Sequence, residues 1–465
     1  MTIKGEPIMA TTTGTDAPVL PGNPLLGSMF DLKNDALGTF LRAQRELGDV
    51  VRITAGPPGL RAHVYGVFSA EGAQQVLAGE SANFRKDNAF YQEIRESFGN
   101  GLLTSQDEDY LRQRRLVQPL FTKRRVDGYA AAVATEVATL TDEWRDRGAG
   151  TVDVLHEMTR LALRAVSRIL FGTDVDAAVE IVERSFPELA AYVLSRGYAP
   201  VKVPRDWPTP ANRKAATVHE ALYQVCDRII AERRASDRAP GDGDDLLTLL
   251  VEAESAEDGS FDATELREQV LVFLLAGHET TATSLGFALH LLGKHPEALK
   301  RAHEEVDRVL AGRVPDAADL DALPYVTRVL KETMRLFPAA PAVGRRAVAT
   351  TVVDGVTIPA GADVIVASYV THRHPAYWED AERFDPDRFT PEAEAARPRY
   401  AWYPFGGGPR ACIGQHFSML ESVIALAMML QKYDFEAVDT EVPVGSAITL
   451  FAKGPVRCRL VPRTA

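Results

Sequence analysis

The sequence predicts a mainly α-helical fold with a smaller β region, and three observations carry that expectation. Most of the chain from Ser69 to about Ser236 has apolar residues at helical spacing. A second helical stretch runs from about Thr264 to Lys294, about thirty residues or roughly 45 Å at 1.5 Å per residue, long enough to cross the whole molecule. The strand-like segments are few, short and bounded by Gly, Pro or Asp-Gly.

In chain order, residues 1–27 read as a proline-rich lead-in, partly disordered, and residues 28–465 as a single domain. VVRITA (Val50 to Ala55) and AHVYGV (Ala62 to Val67) are joined across a Gly-Pro-Pro-Gly turn and read as a hairpin. Two breaks interrupt the helical stretch. Asn83 to Gln106 carries Phe84, Phe90, Tyr91 and Phe98; Ala199 to Pro210 carries four prolines, which cannot sit inside a helix. Long irregular loops of this kind are often lids or binding loops. Ser236 to Asp245 reads as a flexible surface connection, after which Asp262 or Thr264 caps the long helix. Thr351 to Tyr369 reads as β-structure around an Asp-Gly turn, a last helix follows Cys412 from about Gln415 to Leu430, and short strands close the chain.

Composition narrows the function classes. The 465 residues are 46% hydrophobic and 25% charged, those of an ordinary globular protein, and length alone would allow two or three domains. A net charge of -12 argues against nucleic acid or anionic lipid as the main partner. Three cysteines, Cys226, Cys412 and Cys458, make no disulfide framework and suit a reducing cytoplasm. The N-terminus shows neither a signal peptide nor an apolar anchor, and the apolar run Val270 to Gly277 is too short to span a bilayer, so no membrane anchor is expected.

The strongest chemical signal is FGGGPRACIG, Phe405 to Gly414. A buried free cysteine is usually packing. Here three glycines let the backbone approach a flat partner, and the cysteine precedes a helix whose N–H groups and dipole favour a thiolate. With no CxxC or Cys/His cluster beside it, a lone thiolate is a poor zinc site but suits an oxygen-activating heme. The segment resembles the cysteine loop FxxGxRxCxG of cytochromes P450, matched by Phe405, Gly408, Arg410, Cys412 and Gly414. The resemblance implies heme b with Cys412 as axial ligand, Phe405 beside the sulfur and Arg410 on a propionate.

Three further segments join it. In KETMR, Glu332 and Arg335 stand one helical turn apart; alone this is usually a surface pair. The resemblance makes it the buried ExxR pair, completed by Arg388, as structural support. In AGHETT, Thr280 and Glu279 sit in an apolar helix, where the plain alternative is a kink with internally bonded threonines. The match to the family's oxygen-binding segment implies that Thr280 donates to dioxygen and Glu279 relays protons, with Ala276 against the heme. One residue's rotation turns His278 away from that face, to a supporting or surface role. Arg114 stands in the arginine position of WxxxR, on a propionate, with Tyr110 as the aromatic in place of tryptophan, and Arg345 or its neighbour Arg346 is the third propionate arginine that the resemblance implies.

The resemblance implies the P450 fold and insertion of one oxygen atom from O2 into an apolar small molecule in specialised metabolism. No GxGxxG segment is fused to the chain, so electrons from NAD(P)H would arrive through a separate ferredoxin or flavodoxin with its reductase. A cytoplasmic monomer is expected. The rivals are a peroxygenase or isomerase on the same heme, and a heme-binding sensor without turnover. Expected pocket residues are Phe90, Tyr91, Phe273, Ala276, Ala342, Val343 and Thr449. They admit a terpenoid, polyketide, fatty acid or aromatic. Six cations between Arg112 and Arg125 oppose the chain's overall sign and mark the docking face for an acidic electron donor, the bland alternative being a solvated helix face.

Overall fold

The computed structural model describes residues 14–148, 150–172, 176–197, 199, 202–235, 245–254 and 261–463. Its axis is the helix Ala263–Lys294, which begins where expected. Asp262, not Thr264, is the cap: its carboxylate accepts from the N–H groups of Thr264 and Glu265, and Glu265 returns the bond to the Asp262 N–H. Among the described residues this is the one helix long and apolar enough to cross a membrane, and 78% of that apolar window is buried inside the fold. It packs against Val154–Val166, Pro324–Leu336 and Gln415–Lys432, so its apolar residues face protein on most sides.

The hairpin forms as read, Val50–Ala55 antiparallel to Ala62–Val67. It extends into a five-stranded sheet through Asp363–Val366, Val343–Ala347 and the short Phe84–Arg85. The Asp-Gly turn closes Thr351–Val353 on Val356–Ile358, with both Asp354 and Gly355 at positive φ (47° and 77°). The described part of the lead-in packs onto the hairpin. Leu20 is buried, and Pro18 and Leu20 exchange backbone bonds with Arg52. Residues 1–13 and most of the 236–245 connection lie outside the described residues.

The first expected loop is partly a helix, Ala89–Phe98. Asn88 caps it by accepting from the Tyr91 N–H, and Tyr91, Ile94 and Phe98 place one apolar face inward. Of the second break, residues 202–209 carry no helix, and Pro210 opens the helix Pro210–Ala235. The two breaks are fastened together. The buried Glu93 carboxylate meets Arg196 at 2.7 Å, Lys202 at 2.8 Å and Arg205 at 2.6 Å.

The segment leading towards the cysteine loop hangs on one buried ion pair. Glu332 and Arg335 are fully buried and joined by two bonds, of 2.7 and 2.8 Å. Arg335 also donates to the carbonyls of His372 (2.9 Å), Ala381 (2.6 Å) and Arg383 (3.1 Å). Arg388 joins the pair as an ion-pair partner of Glu332 without a direct hydrogen bond. Its Nε stands 3.6 Å from Glu332 Oε1, beyond a hydrogen bond, because the Asp385 N–H takes that oxygen at 2.9 Å while Arg388 donates to the Asp380 carbonyl at 3.0 Å. Removing one partner of a buried pair strands the other charge. Glu332→Ala is therefore expected to cost about 3–5 kcal/mol, measured as a fall in the urea unfolding midpoint, and Arg388→Ala distinctly less.

Candidate active site

Backbone bonds set the cysteine loop. The Cys412 N–H donates to the Phe405 carbonyl at 2.9 Å and Ala411 N–H to that of Gly408 at 3.1 Å. Gly408 lies at φ 63°, and a side chain there would collide with the Leu77 carbonyl oxygen. This glycine thus serves a left-handed turn and close packing against the protein itself, not a flat partner. Gly414 differs: it lines the cavity, and a Cβ placed there would meet only Cys412 Sγ, at 3.9 Å.

A cavity of about 630 Å³ opens between this loop and the long helix. All the expected pocket residues line it, namely Phe90, Tyr91, Phe273, Ala276, Ala342, Val343 and Thr449, and so do Thr280, Arg114, Arg345, Phe405, Arg410, Cys412 and Gly414. Strand alternation separates the two candidate arginines: Arg345 is buried in the cavity wall and Arg346 is exposed. Glu279 is not in the wall. Its carboxylate accepts a 2.6 Å bond from Thr449 on the hairpin near the C-terminus.

Cys412 is exposed by accessible area, but that area faces the cavity, and the protein around it is dense. Burial pushes its thiol up, against the Gly414 N–H and the charges of Arg114 and Lys86, which pull it down. The start of a helix alone does not make this cysteine a thiolate; coordination to a metal does so outright.

In the cavity wall four cations converge: Lys86, Arg114, Arg345 and Arg410. None has a carboxylate partner among the described residues. Lys86 donates to the Leu103 carbonyl at 3.1 Å, Arg345 to that of Gly344 at 2.7 Å, and Arg410 to that of Leu103 at 3.4 Å. Arg114 donates to Tyr110 Oη at 2.8 Å and to the Ala411 carbonyl at 3.0 Å. Burial, then the charges of Arg410 and Arg345, hold Lys86 well below its ordinary range; burial above all brings Arg410 down to about 10. Tyr110 organises the group. Its hydroxyl donates to the Pro409 carbonyl at 2.6 Å, and the Arg410 guanidinium lies 3.6 Å from its ring centroid.

The long helix divides its central residues. Thr280 faces the cavity with its hydroxyl bonded back to the Ala276 carbonyl at 2.8 Å, as the plain reading of the threonines had it. His278 is buried, not at the surface; Nδ1 lies 2.8 Å from the Leu274 carbonyl, the ring packs edge-on against Phe186, and burial brings it down to about 4. Burial raises Glu279 to about 7, against the Thr449 hydrogen bond.

The comparisons agree with this geometry. The family description "Cytochrome P450" matches residues 18–458. The chain belongs to the cytochrome P450 family. It is 36% identical to cyclooctatin synthase of Streptomyces melanosporofaciens, over 96% of this chain and 95% of that one. To pentalenene oxygenase of Streptomyces avermitilis it is 33% identical, over 95% and 96%. The solved heme domain of cytochrome P450DA superposes with a TM-score of 0.85 at 27% identity, covering 97% of this chain and 98% of that one.

The protein is thus a P450 monooxygenase that takes heme b with an axial cysteine thiolate, and the donor set suits that group. Cys412 offers its sulfur to the cavity, and four cations without carboxylate partners, Lys86 and Arg345 buried and Arg114 and Arg410 half-buried, suit a group that carries carboxylates of its own. Lys86 was not legible in the sequence: it reaches this cluster because Phe84–Arg85 pairs with the strand that carries Arg345. The six surface cations also divide. Arg112 is bound to Glu265 and Asp109, Arg114 turns inward, and Arg115, Lys123, Arg124 and Arg125 are exposed, Lys123 with Asp127 at 3.0 Å. Cys412→Ser is expected to abolish the strongly red-shifted Soret band of the reduced CO complex, whereas Cys226→Ser and Cys458→Ser, both at buried packing positions, retain it.

Proposed function

We propose that this P450 inserts one atom of O2 into a terpenoid hydrocarbon or alcohol of specialised metabolism, with electrons from NAD(P)H delivered by a separate ferredoxin or flavodoxin and its reductase. The observation that carries the reading is the apolar surface within the cavity. Beside the charged groups in the wall, which include Arg61, Lys202 and Asp363 as well as the four clustered cations, Phe90, Phe273, Ala276, Ala342 and Val343 offer an apolar surface to a substrate. The names of relatives support the class: cyclooctat-9-en-7-ol 5-monooxygenase is 35% identical over 92% of this chain, and pentalenene oxygenase 33% over 95%.

Heme b, when bound, supplies oxygen activation. The protein's part is to hold and protonate. In this reading Cys412 binds the iron, with Phe405 beside the sulfur, and Lys86, Arg114, Arg345 and Arg410 hold the propionates. Thr280 presents a hydroxyl to the cavity and Glu279 resupplies protons. A carboxyl raised to about 7 can both give and regain a proton near neutrality, which supports O2-dependent turnover over a peroxygenase or a silent sensor. Residues 28–465 would act as one domain, as a monomer in the cytoplasm. The helix Lys123–Asp127 packs against Gln415–Lys432, the helix that follows Cys412, which favours its exposed cations as the docking face.

Two experiments test this reading. Thr280→Ala should keep heme and substrate binding, read from the spectra, but lower the product formed per NAD(P)H several-fold as electrons pass into hydrogen peroxide; coupling equal to the parent would move the proton path elsewhere. Reversing Lys123, Arg124 and Arg125 to glutamate should slow ferredoxin-supported turnover several-fold and weaken its dependence on ionic strength, while peroxide-driven turnover holds. Turnover indifferent to the reversals with several acidic ferredoxins would place the docking face elsewhere.

A further inference from the structure

We infer that Thr449 is the positioning residue through which the Glu279 carboxyl reaches the cavity, since its hydroxyl bonds Glu279 Oε2 at 2.6 Å and its side chain stands in the cavity wall. The inference rests on the proposed reading of Glu279 as the proton source. Glu279 has no place in the wall itself. The neighbouring alcohol, Thr280, faces the cavity but makes no bond to the carboxyl, its hydroxyl donating to the Ala276 carbonyl in this structure. The hydroxyl that meets the acid comes instead from a residue 170 positions away.

The local fold holds Thr449 there. It ends the short turn between Val444–Ser446 and Leu450–Ala452, closed by the Ala447 N–H on the Thr449 carbonyl at 2.9 Å. The Leu450 N–H anchors the turn on the Ala339 carbonyl at 2.9 Å. Ser446, Ala447 and Ile448 line the same cavity, so a bound substrate rests on the turn that holds the acid. Besides burial, the Thr449 hydroxyl is the influence on Glu279; no charged side chain among the described residues adds to it, and the adjacent His278 is neutral near pH 7.

The step is a proton relay. Thr449 donates to the carboxylate form; once Glu279 is protonated the bond reverses, and the Glu279 proton passes to Thr449 Oγ1 as the Thr449 hydroxyl, turned to the cavity, gives its own proton to water there. One O–H bond breaks at each residue and one forms at the next acceptor, and the carboxylate left behind is reprotonated from solvent.

The test uses the heme-loaded protein and three variants. The infrared carbonyl band of the protonated Glu279 carboxyl, assigned by its loss in Glu279→Gln, is titrated against pH. Thr449→Val keeps the side-chain size but removes the donor to the charged form, so the midpoint should rise above about 7. Product per NAD(P)H at neutral pH should fall several-fold in the same variant, and Thr449→Ser should restore both readouts. A shift in midpoint without loss of coupling, or the reverse, overturns the relay, as does a Thr449→Val protein equal to the parent in both. If Glu279→Gln itself stays fully coupled, the reading of Glu279 as the acid falls instead.

Discussion

Lys86, Arg114, Arg345 and Arg410 come from separate segments of the chain and are brought together in a cavity wall without a carboxylate among them. Charges of one sign that are buried together repel one another and lose hydration, and both effects oppose folding. The tertiary structure tolerates the cluster through carbonyls and the Tyr110 ring, which solvate cations without neutralising them. A dicarboxylate cofactor is what relieves it. Heme binding and folding are therefore coupled here, because a ligand that binds only the native state stabilises it by mass action. The cysteine loop, the Arg345 strand and the Ala89–Phe98 helix all border the same cluster, so they share that dependence.

The Glu332–Arg335 pair answers a different need. A buried pair is seldom worth more than apolar packing of the same volume. What it adds here is direction, since Arg335 spends its remaining donors on three carbonyls between His372 and Arg383, a stretch that forms turns but no helix or strand. Orphaned carbonyls in a buried loop would each be costly. One guanidinium satisfies several and fixes the path of the chain towards the cysteine.

The sequence was most informative where function depends on neighbours in the chain. Cys412 with its glycines, the ExxR spacing and the long helix could all be read because each is a local pattern. The rest required tertiary information. The partner of Glu279 lies on a hairpin near the end of the chain, and nothing about Thr449 in sequence points to a carboxylate. Lys86 follows a two-residue strand too short to recognise. The helix at Ala89–Phe98 was hidden because its aromatic residues resemble those of a binding loop, and they serve as both: Tyr91 and Phe98 pack inward and also line the cavity. The run of cations from Arg112 to Arg125 divides between the cavity, an ion pair with Glu265 and the surface, since adjacency in sequence does not say which side chains share a face.

Rotation about the long helix explains how three consecutive residues do three different things. Successive side chains diverge by about 100°. His278 points towards Phe186, Glu279 towards Thr449 and Thr280 into the cavity. Burial acts on the first two in opposite senses, since it disfavours whichever form is charged: it leaves the imidazole neutral and brings the carboxyl to where it can exchange a proton. A carboxylate pressed against Phe186 in place of the imidazole would face the Leu274 carbonyl, an acceptor rather than a donor. The order His-Glu-Thr in this sequence thus suits the three surroundings the fold provides, with the Thr449 hydroxyl meeting the middle residue.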